Sequence, residues 1–225
     1  MGKSVLSSGI LRNHMHRIIR AFALLALCVI PSRAQEPASR PADLSNPREA
    51  LKTLVDALKT GDVKTAQRVC QAKDPQIKKL VNVGLAWQAA VEKLVATCEK
   101  KFGDGMGAPL RAKLEETGPA DFVPSVEKNL EQAPESDSGE SVSINMGENQ
   151  PVLELVRVDG EWKIDSDKAL AQMEPQRRQQ MIREWPKSTK KMKDAAKGVE
   201  EGKLASVDDV EAAIEPGGPA NAGKQ

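Results

Sequence analysis

From Asn46 onward the apolar positions fall at helical spacing. Ala50, Leu51, Leu54, Val55 and Leu58 form one stripe, which predicts an amphipathic helix. Its start is marked three times over. Asn46 is a good N-cap, Pro47 suits the first helical position, and Glu49 stands where a capping box places its acid. Gly61 ends the helix, because glycine accepts the left-handed conformation that follows a last turn. Asp62 then caps a short second helix with Val63, Ala66, Val69 and Cys70 on one face. Asp74-Pro75 repeats the start signal. The third stripe is long: Ile77, Leu80, Val81, Leu85, Val91, Leu94, Val95, Cys98 and Phe102, with Trp87 a little off it. Gly103-Asp104-Gly105 closes that helix. A further short helix is predicted from Ala108 to about Glu116, carrying Leu110 and Leu114, before Pro119 and Pro124 break the pattern.

The period then drops to two. Val142, Ile144 and Met146 alternate with Ser141, Ser143 and Asn145, as in a half-buried strand. Residues 134–140 before it read as a loop. Val152–Val158 and Glu161–Asp165 read as a hairpin around Asp159-Gly160, a pair that tolerates positive φ at both turn positions. Counting outward from that turn pairs Arg157 with Trp162 and Leu155 with Ile164. Leu153, Leu155, Trp162 and Ile164 thereby share one face. These four side chains are the candidate ligand-binding residues. They are equally a sufficient small core, and the core-plug reading is preferred because so few aromatic side chains are available.

Helical spacing returns after Pro175 with Met181, Ile182, Trp185, Met192, Ala196 and Val199. Pro186 is expected to kink or divide this helix. Gly202 ends it, and Ser206 caps a last helix with Val207, Val210 and Ile214. Residues 35–44 read as a flexible leader and 215–225 as a disordered tail. No internal repeat is present.

The first 34 residues change the arithmetic. Lys3, Arg12, Arg17, Arg20 and Arg33 occur there with no acid, around the apolar run Ala21–Ile30, and Ser32 and Ala34 fit a small-x-small cleavage site. This is the pattern of a secretory signal cut near Ala34, and the apolar run is too short to span a bilayer. Lipidation at Cys28 is the alternative, disfavoured by the bulk of Leu27. An exported protein, periplasmic or extracellular, is expected. Of 33 basic and 32 acidic residues, the five basic ones in the leader go, leaving 28 against 32 and a balance of −4. That excludes a generally basic nucleic-acid binder. Both histidines, His14 and His16, lie in the leader, and the chain has no tyrosine. Two cysteines remain, Cys70 and Cys98. An oxidising compartment permits a disulfide between them. If residues 75–102 form one unbroken helix, Cys98 lies roughly 35 Å along it, and a bridge then requires a break, with Gly84 the natural place.

The stretches PREALKTLVDALKTGDVKTA (Pro47–Ala66) and LVRVDGEWKID (Leu155–Asp165) resemble the first helix and the final hairpin of the NTF2-like, or cystatin-like cone, superfamily. KFG (Lys101–Gly103), followed by a sheet and a C-terminal helix pair, is similar to a group of exported bacterial proteins of planctomycete type. The resemblance implies an α+β domain over residues 45–170, with N-terminal helices packed on a curved antiparallel sheet and a C-terminal helical extension over 171–214. It implies no chemistry: the cyclases and isomerases of that superfamily use Asp with His or Tyr, and neither partner survives in the mature chain.

Other chemistries have little support. Histidine-assisted catalysis needs an imidazole. Lys187, Ser188 and Lys190 are close in sequence but on a helix expected to face water. Zinc lacks ligands. Asp208, Asp209 and Glu211 could hold a hard cation, but they also suit the first turn of a helix, whose dipole favours acids. No phosphate-binding glycine loop follows a strand. No cofactor is expected. The run from Arg177 to Lys197 carries eight basic residues. It could touch anionic headgroups or an acidic partner weakly, or it could simply pack its apolar stripe inward. The leading expectation is therefore a non-catalytic accessory or binding module of the cell envelope, with an unknown protein or small-molecule ligand. The alternative is a small-molecule binder or enzyme using an apolar cone pocket. A pocket would need a closed cavity of roughly 300 Å³ or more with an Asp or Glu pointing in. A scaffold would instead show a filled cone and an exposed apolar patch.

Overall fold

The computed structural model describes residues 42–133, 139–145 and 152–215. The proposed signal, most of the leader, Met146 and the tail beyond Glu215 lie outside the described residues. The chain is α+β. Among the described residues, eight helices accompany one mixed four-stranded sheet.

Helix α1 (Pro47–Thr60) begins and ends where its capping residues dictate. The Asn46 side chain accepts a hydrogen bond from the Glu49 N–H, and Gly61 takes φ 78° to close the last turn. Helix α2 (Val63–Val69) is capped by Asp62, which accepts from the Thr65 N–H. Here the sequence reading needs a correction. Cys70 is not on a helix face. The backbone turns extended at φ −103° and ψ 137°, and Cys70–Gln71 form a two-residue strand, β1. The Asp167 carboxylate then accepts from the N–H groups of Lys73 and Asp74, which fixes the exit of this strand.

Helix α3 (Pro75–Phe102) runs unbroken for 28 residues through Gly84. It is followed by α4 (Gly107–Leu114) and α5 (Phe122–Asn129). The last departs from the expectation that Pro124 breaks the helical pattern. Pro124 lies in the first turn, where no intrahelical N–H bond is required of it.

The sheet order is β1-β4-β3-β2, with β2 Ser141–Ile144, β3 Leu153–Val158 and β4 Glu161–Asp165. Strands β2, β3 and β4 are antiparallel neighbours, and β1 joins β4 in parallel, Cys70 opposite Ile164. The hairpin register matches the count from its turn: Leu155 opposes Ile164 and Arg157 opposes Trp162. Asp159 and Gly160 take φ 53° and 83°, both left-handed.

After the short α6 (Ser166–Ala169), helix α7 spans Pro175–Glu200 and α8 spans Val207–Ile214. Pro186 neither ends nor divides α7. It is exposed, so the bond it cannot make is lost on the water side.

Two apolar clusters hold the unit together, and α3 is common to both. On one side Leu85 and Ala89 join Leu51, Leu54, Leu58, Val123, Leu155 and Trp162 beneath the sheet. On the other, Trp87, Val91, Leu94 and Cys98 join Leu110, Leu114, Met192, Val199 and Val210. Trp87 falls off the main stripe because α3 is covered on both sides.

Candidate functional site

The hairpin places its four inward residues as the register requires. Leu153, Leu155, Trp162 and Ile164 are all buried, and Trp162 is 0% exposed. They do not act as one site. Trp162 and Leu155 are packed within the first cluster, whereas Leu153 and Ile164 reach the wall of a cavity farther along the same face.

That cavity has a volume of about 270 Å³ and is partly open. It lies at the seam between the two clusters. Leu54 of α1, Leu80, Val81 and Leu85 of α3, Leu153 and Ile164 of the hairpin, Leu170 and Met173 after α6, and Met181 and Trp185 of α7 enclose it. Sequence reasoning found the two hairpin residues and missed the others, because they are brought together only by the packing of α3 between the sheet and α7. No charged side chain lines the cavity. It is somewhat smaller than the closed cavity expected of a pocket, it is partly open, and no acid stands on its wall. The exposed patch expected of a scaffold is not found either: Val152, 51% exposed, is the one large apolar side chain in the open among the described residues.

The polar groups on the wall are Cys70, Ser166, Gln88 and the backbone of Pro119. Desolvation pushes the Cys70 thiol up to about 12, against the smaller opposing effect of its hydrogen bond with Ser166. A thiol so placed stays protonated and is a poor nucleophile at neutral pH. Gln88 is 5% exposed; its Nε2 donates to the Pro119 carbonyl at 2.6 Å, and its Oε1 is buried without a partner.

Trp185 forms one side of the cavity and is fixed from behind. Its ring stacks on Trp87, centroids 5.7 Å apart, and its Nε1 donates to the Thr117 carbonyl at 3.2 Å. Gly84 lets the ring approach, since a Cβ there would stand 2.9 Å from it. Trp87 Nε1 in turn donates to Ser188 Oγ, which gives Ser188 a structural duty. Lys187 pairs with Glu184 and Lys190 with Asp194, so the Ser-Lys grouping is spent on the helix surface.

The remaining candidates resolve into structural roles. Cys70 and Cys98 are free thiols: α3 is unbroken, and they sit in different regions, Cys70 against the first cluster and Cys98 within the second. Asp209 belongs to a capping box, its carboxylate accepting from the Ala205 and Ser206 N–H groups, and Ser206 accepting from the Asp209 N–H. Among the described residues no cluster of three potential metal ligands occurs. The apolar stripe of the basic helix is packed inward, with Trp185, Met192, Ala196 and Val199 buried, and among the described residues no helix is long and apolar enough to cross a membrane.

One pair escaped the sequence reading. Glu92 and Arg111 form a buried two-bond ion pair at 2.7 Å for each bond, with a third bond from Arg111 to the Ala120 carbonyl. The signal was an acid lying on an apolar stripe of α3. All these partners are satisfied, and the pair does not line the cavity.

No known family pattern, curated protein or solved structure matches this chain.

Proposed function

We propose that this protein is an exported, non-catalytic binding module that holds a small, largely apolar molecule at the seam between its two cores. One observation carries the reading: a cavity of about 270 Å³ walled by aliphatic, methionine and aromatic side chains. Pockets of this kind bind by burying apolar surface, with a few polar groups setting orientation. The non-catalytic part rests on the wall chemistry, in which the one titratable group is a thiol that desolvation keeps protonated. The export part rests on the leader alone. The element order, helices first and a hairpin last, supports the further reading that residues 44–170 are a small relative of the NTF2-like cone, with the ligand site displaced from the cone axis toward α7.

The test uses an apolar, environment-sensitive dye such as Nile red, titrated with the purified protein. Binding at one dye per chain is expected, competed by unlabelled apolar molecules. Val81→Phe places a ring in the cavity and should abolish binding while leaving the melting temperature equal or higher. Dye binding by the folded Val81→Phe protein at wild-type affinity would locate the site elsewhere and defeat the proposal.

A further inference from the structure

Helix α7 turns two different faces to its surroundings. Inward, Met181 and Trp185 wall the cavity, and Met192, Ala196 and Val199 close the second cluster. Outward, Arg183, Lys187, Lys190, Lys193 and Lys197 are all exposed. They recur at steps of four, three, three and four, so they keep to one side of the helix, along roughly 21 Å at about 1.5 Å per residue. Lys187 pairs with Glu184, Lys190 with Asp194 and Lys197 with Glu201, all exposed pairs that water screens. Arg183 and Lys193 form no ion pair among the described residues. Glu200 is taken up by Lys93 of α3.

Charge is unevenly shared over the chain. Eight basic residues on α7 stand against Glu184, Asp194 and Glu200, a balance of +5, so the −4 of the chain without its leader leaves −9 on everything else. The cations are gathered on one helix of an otherwise acidic protein. At physiological salt a charge is felt over about 8 Å, so a surface that meets the outward face of α7 senses that helix and little of the acidic remainder.

The kind of partner follows from what this face lacks. A protein interface is anchored by aromatic or aliphatic side chains that become buried. The exposed residues between the cations are Glu184, Pro186 and Asp194, while Trp185 and Met192 are turned inward and buried. Insertion into a bilayer as an amphipathic helix is closed for the same reason. What is left is a straight row of cations, suited to a surface that asks for charge and for no pocket, as anionic lipid headgroups do. We infer that the outward face of α7, through Arg183, Lys187, Lys190, Lys193 and Lys197, rests this protein on an anionic phospholipid bilayer by charge alone and without insertion. A protein held there stands beside a store of apolar molecules for its seam, but the docking does not depend on the binding reading.

The test is sedimentation of the exported chain with vesicles of phosphatidylcholine alone, or of equal parts phosphatidylcholine and phosphatidylglycerol. Binding to the mixed vesicles should exceed binding to the neutral ones about tenfold or more at about 0.1 M salt, and should vanish at about 1 M, where the screening length falls to about 3 Å. Each cation near such a surface contributes about a fivefold gain. Arg183→Gln/Lys193→Gln, which breaks no ion pair, should therefore weaken binding about tenfold or more. Dye binding at the seam should be unchanged, since neither side chain lines the cavity. Lys52→Gln/Lys64→Gln removes the same charge from α1 and α2, which pack on the first cluster across α3 from α7, and should leave vesicle binding within about a factor of two. Equal retention on neutral and mixed vesicles, or none on either, overturns the inference, and so does full retention by Arg183→Gln/Lys193→Gln. An equal loss from both pairs of substitutions overturns it too, since net charge and not α7 is then the cause. Tighter binding to soluble polyglutamate than to the mixed vesicles at equal charge would make the partner an acidic polypeptide and overturn the lipid assignment.

Discussion

Trp162 decides whether the hairpin face is a ligand wall or a core. Its side chain is 0% exposed and packed among Leu51, Leu54, Leu58, Leu155 and Val69 in the first cluster, away from the cavity. Truncation to alanine removes the ring and leaves a void that the surrounding strands and helices only partly close. Losses of this kind run about 3–5 kcal/mol. In a chain of this size that is a fall in melting temperature of roughly 6–20 °C. The assay is urea unfolding followed by far-UV circular dichroism, in parallel with dye titration of the folded variant. The midpoint should drop at constant slope, as expected when stability changes and the exposed surface does not. Dye affinity should stay within about a factor of two, because Trp162 does not touch the cavity. Melting like the wild type, with binding lost, would refute the core assignment and return Trp162 to the site.

Three further outcomes follow from the same packing. Gly160→Val forces a branched side chain into φ 83° and should cost about 1–3 kcal/mol by urea unfolding, with Gly160→Asn much milder. Glu92→Gln breaks the buried pair with Arg111 and should cost about 3–5 kcal/mol, whereas joint replacement by Leu and Met should fall well short of that, since the cost lies in the orphaned charge; equal losses would show instead that the pair itself supplies the stability. The third concerns alkaline pH. Desolvation raises the thiols of Cys70 and Cys98 to about 12 and about 11 in the folded chain, from 9.0 unfolded. The folded state therefore binds more protons than the unfolded state above pH 9, so stability is whole below about 9 and falls as pH rises toward 11–12. Cys70→Ala/Cys98→Ala should flatten that fall relative to wild type in a pH series of melting curves, and identical slopes would contradict the burial of the thiols.

Much of this fold was legible because local chemistry specified it. The ends of α1 follow from Asn46, Pro47 and Gly61, and the hairpin register from Asp159-Gly160. What escaped was set by contacts distant in sequence. Cys70 looks helical by spacing, but Ile164 and the Asp167 carboxylate draw the chain into a strand. Pro124 reads as a breaker until it is known to occupy a first turn. Pro186 should interrupt α7, yet Trp185 on one side and Thr189 and Met192 on the other hold the helix on its neighbours. The cavity was beyond reach of periodicity altogether, since its wall draws on α1, α3, the hairpin and α7, and a stripe of apolar residues looks the same whether it meets another side chain or a space.

That space has an energetic meaning. An apolar void costs about 24 cal/mol for each Å³ relative to a filled core, so a cavity of about 270 Å³ forgoes on the order of 6 kcal/mol, an upper bound because the cavity is partly open. Natural domains have about 5–15 kcal/mol in all. Packing is close around it: Gly84 and Gly118 each leave no room for a Cβ beside a tryptophan ring, and Trp87 and Trp162 are fully enclosed. On the binding reading proposed above, the open seam is a site kept at the expense of stability. The seam is also where filling has the most effect. A molecule held between Leu153 and Ile164 on one side and Met181 and Trp185 on the other touches both cores at once, so its binding energy adds to the cohesion between them. Saturating ligand at a hundred times its dissociation constant adds about 2.7 kcal/mol to the folded state. A gain in melting temperature that grows with the logarithm of ligand concentration, and that disappears in Val81→Phe, is the behaviour a void retained for binding must show. A void that is only a packing defect gains from Val81→Phe and does not respond to ligand.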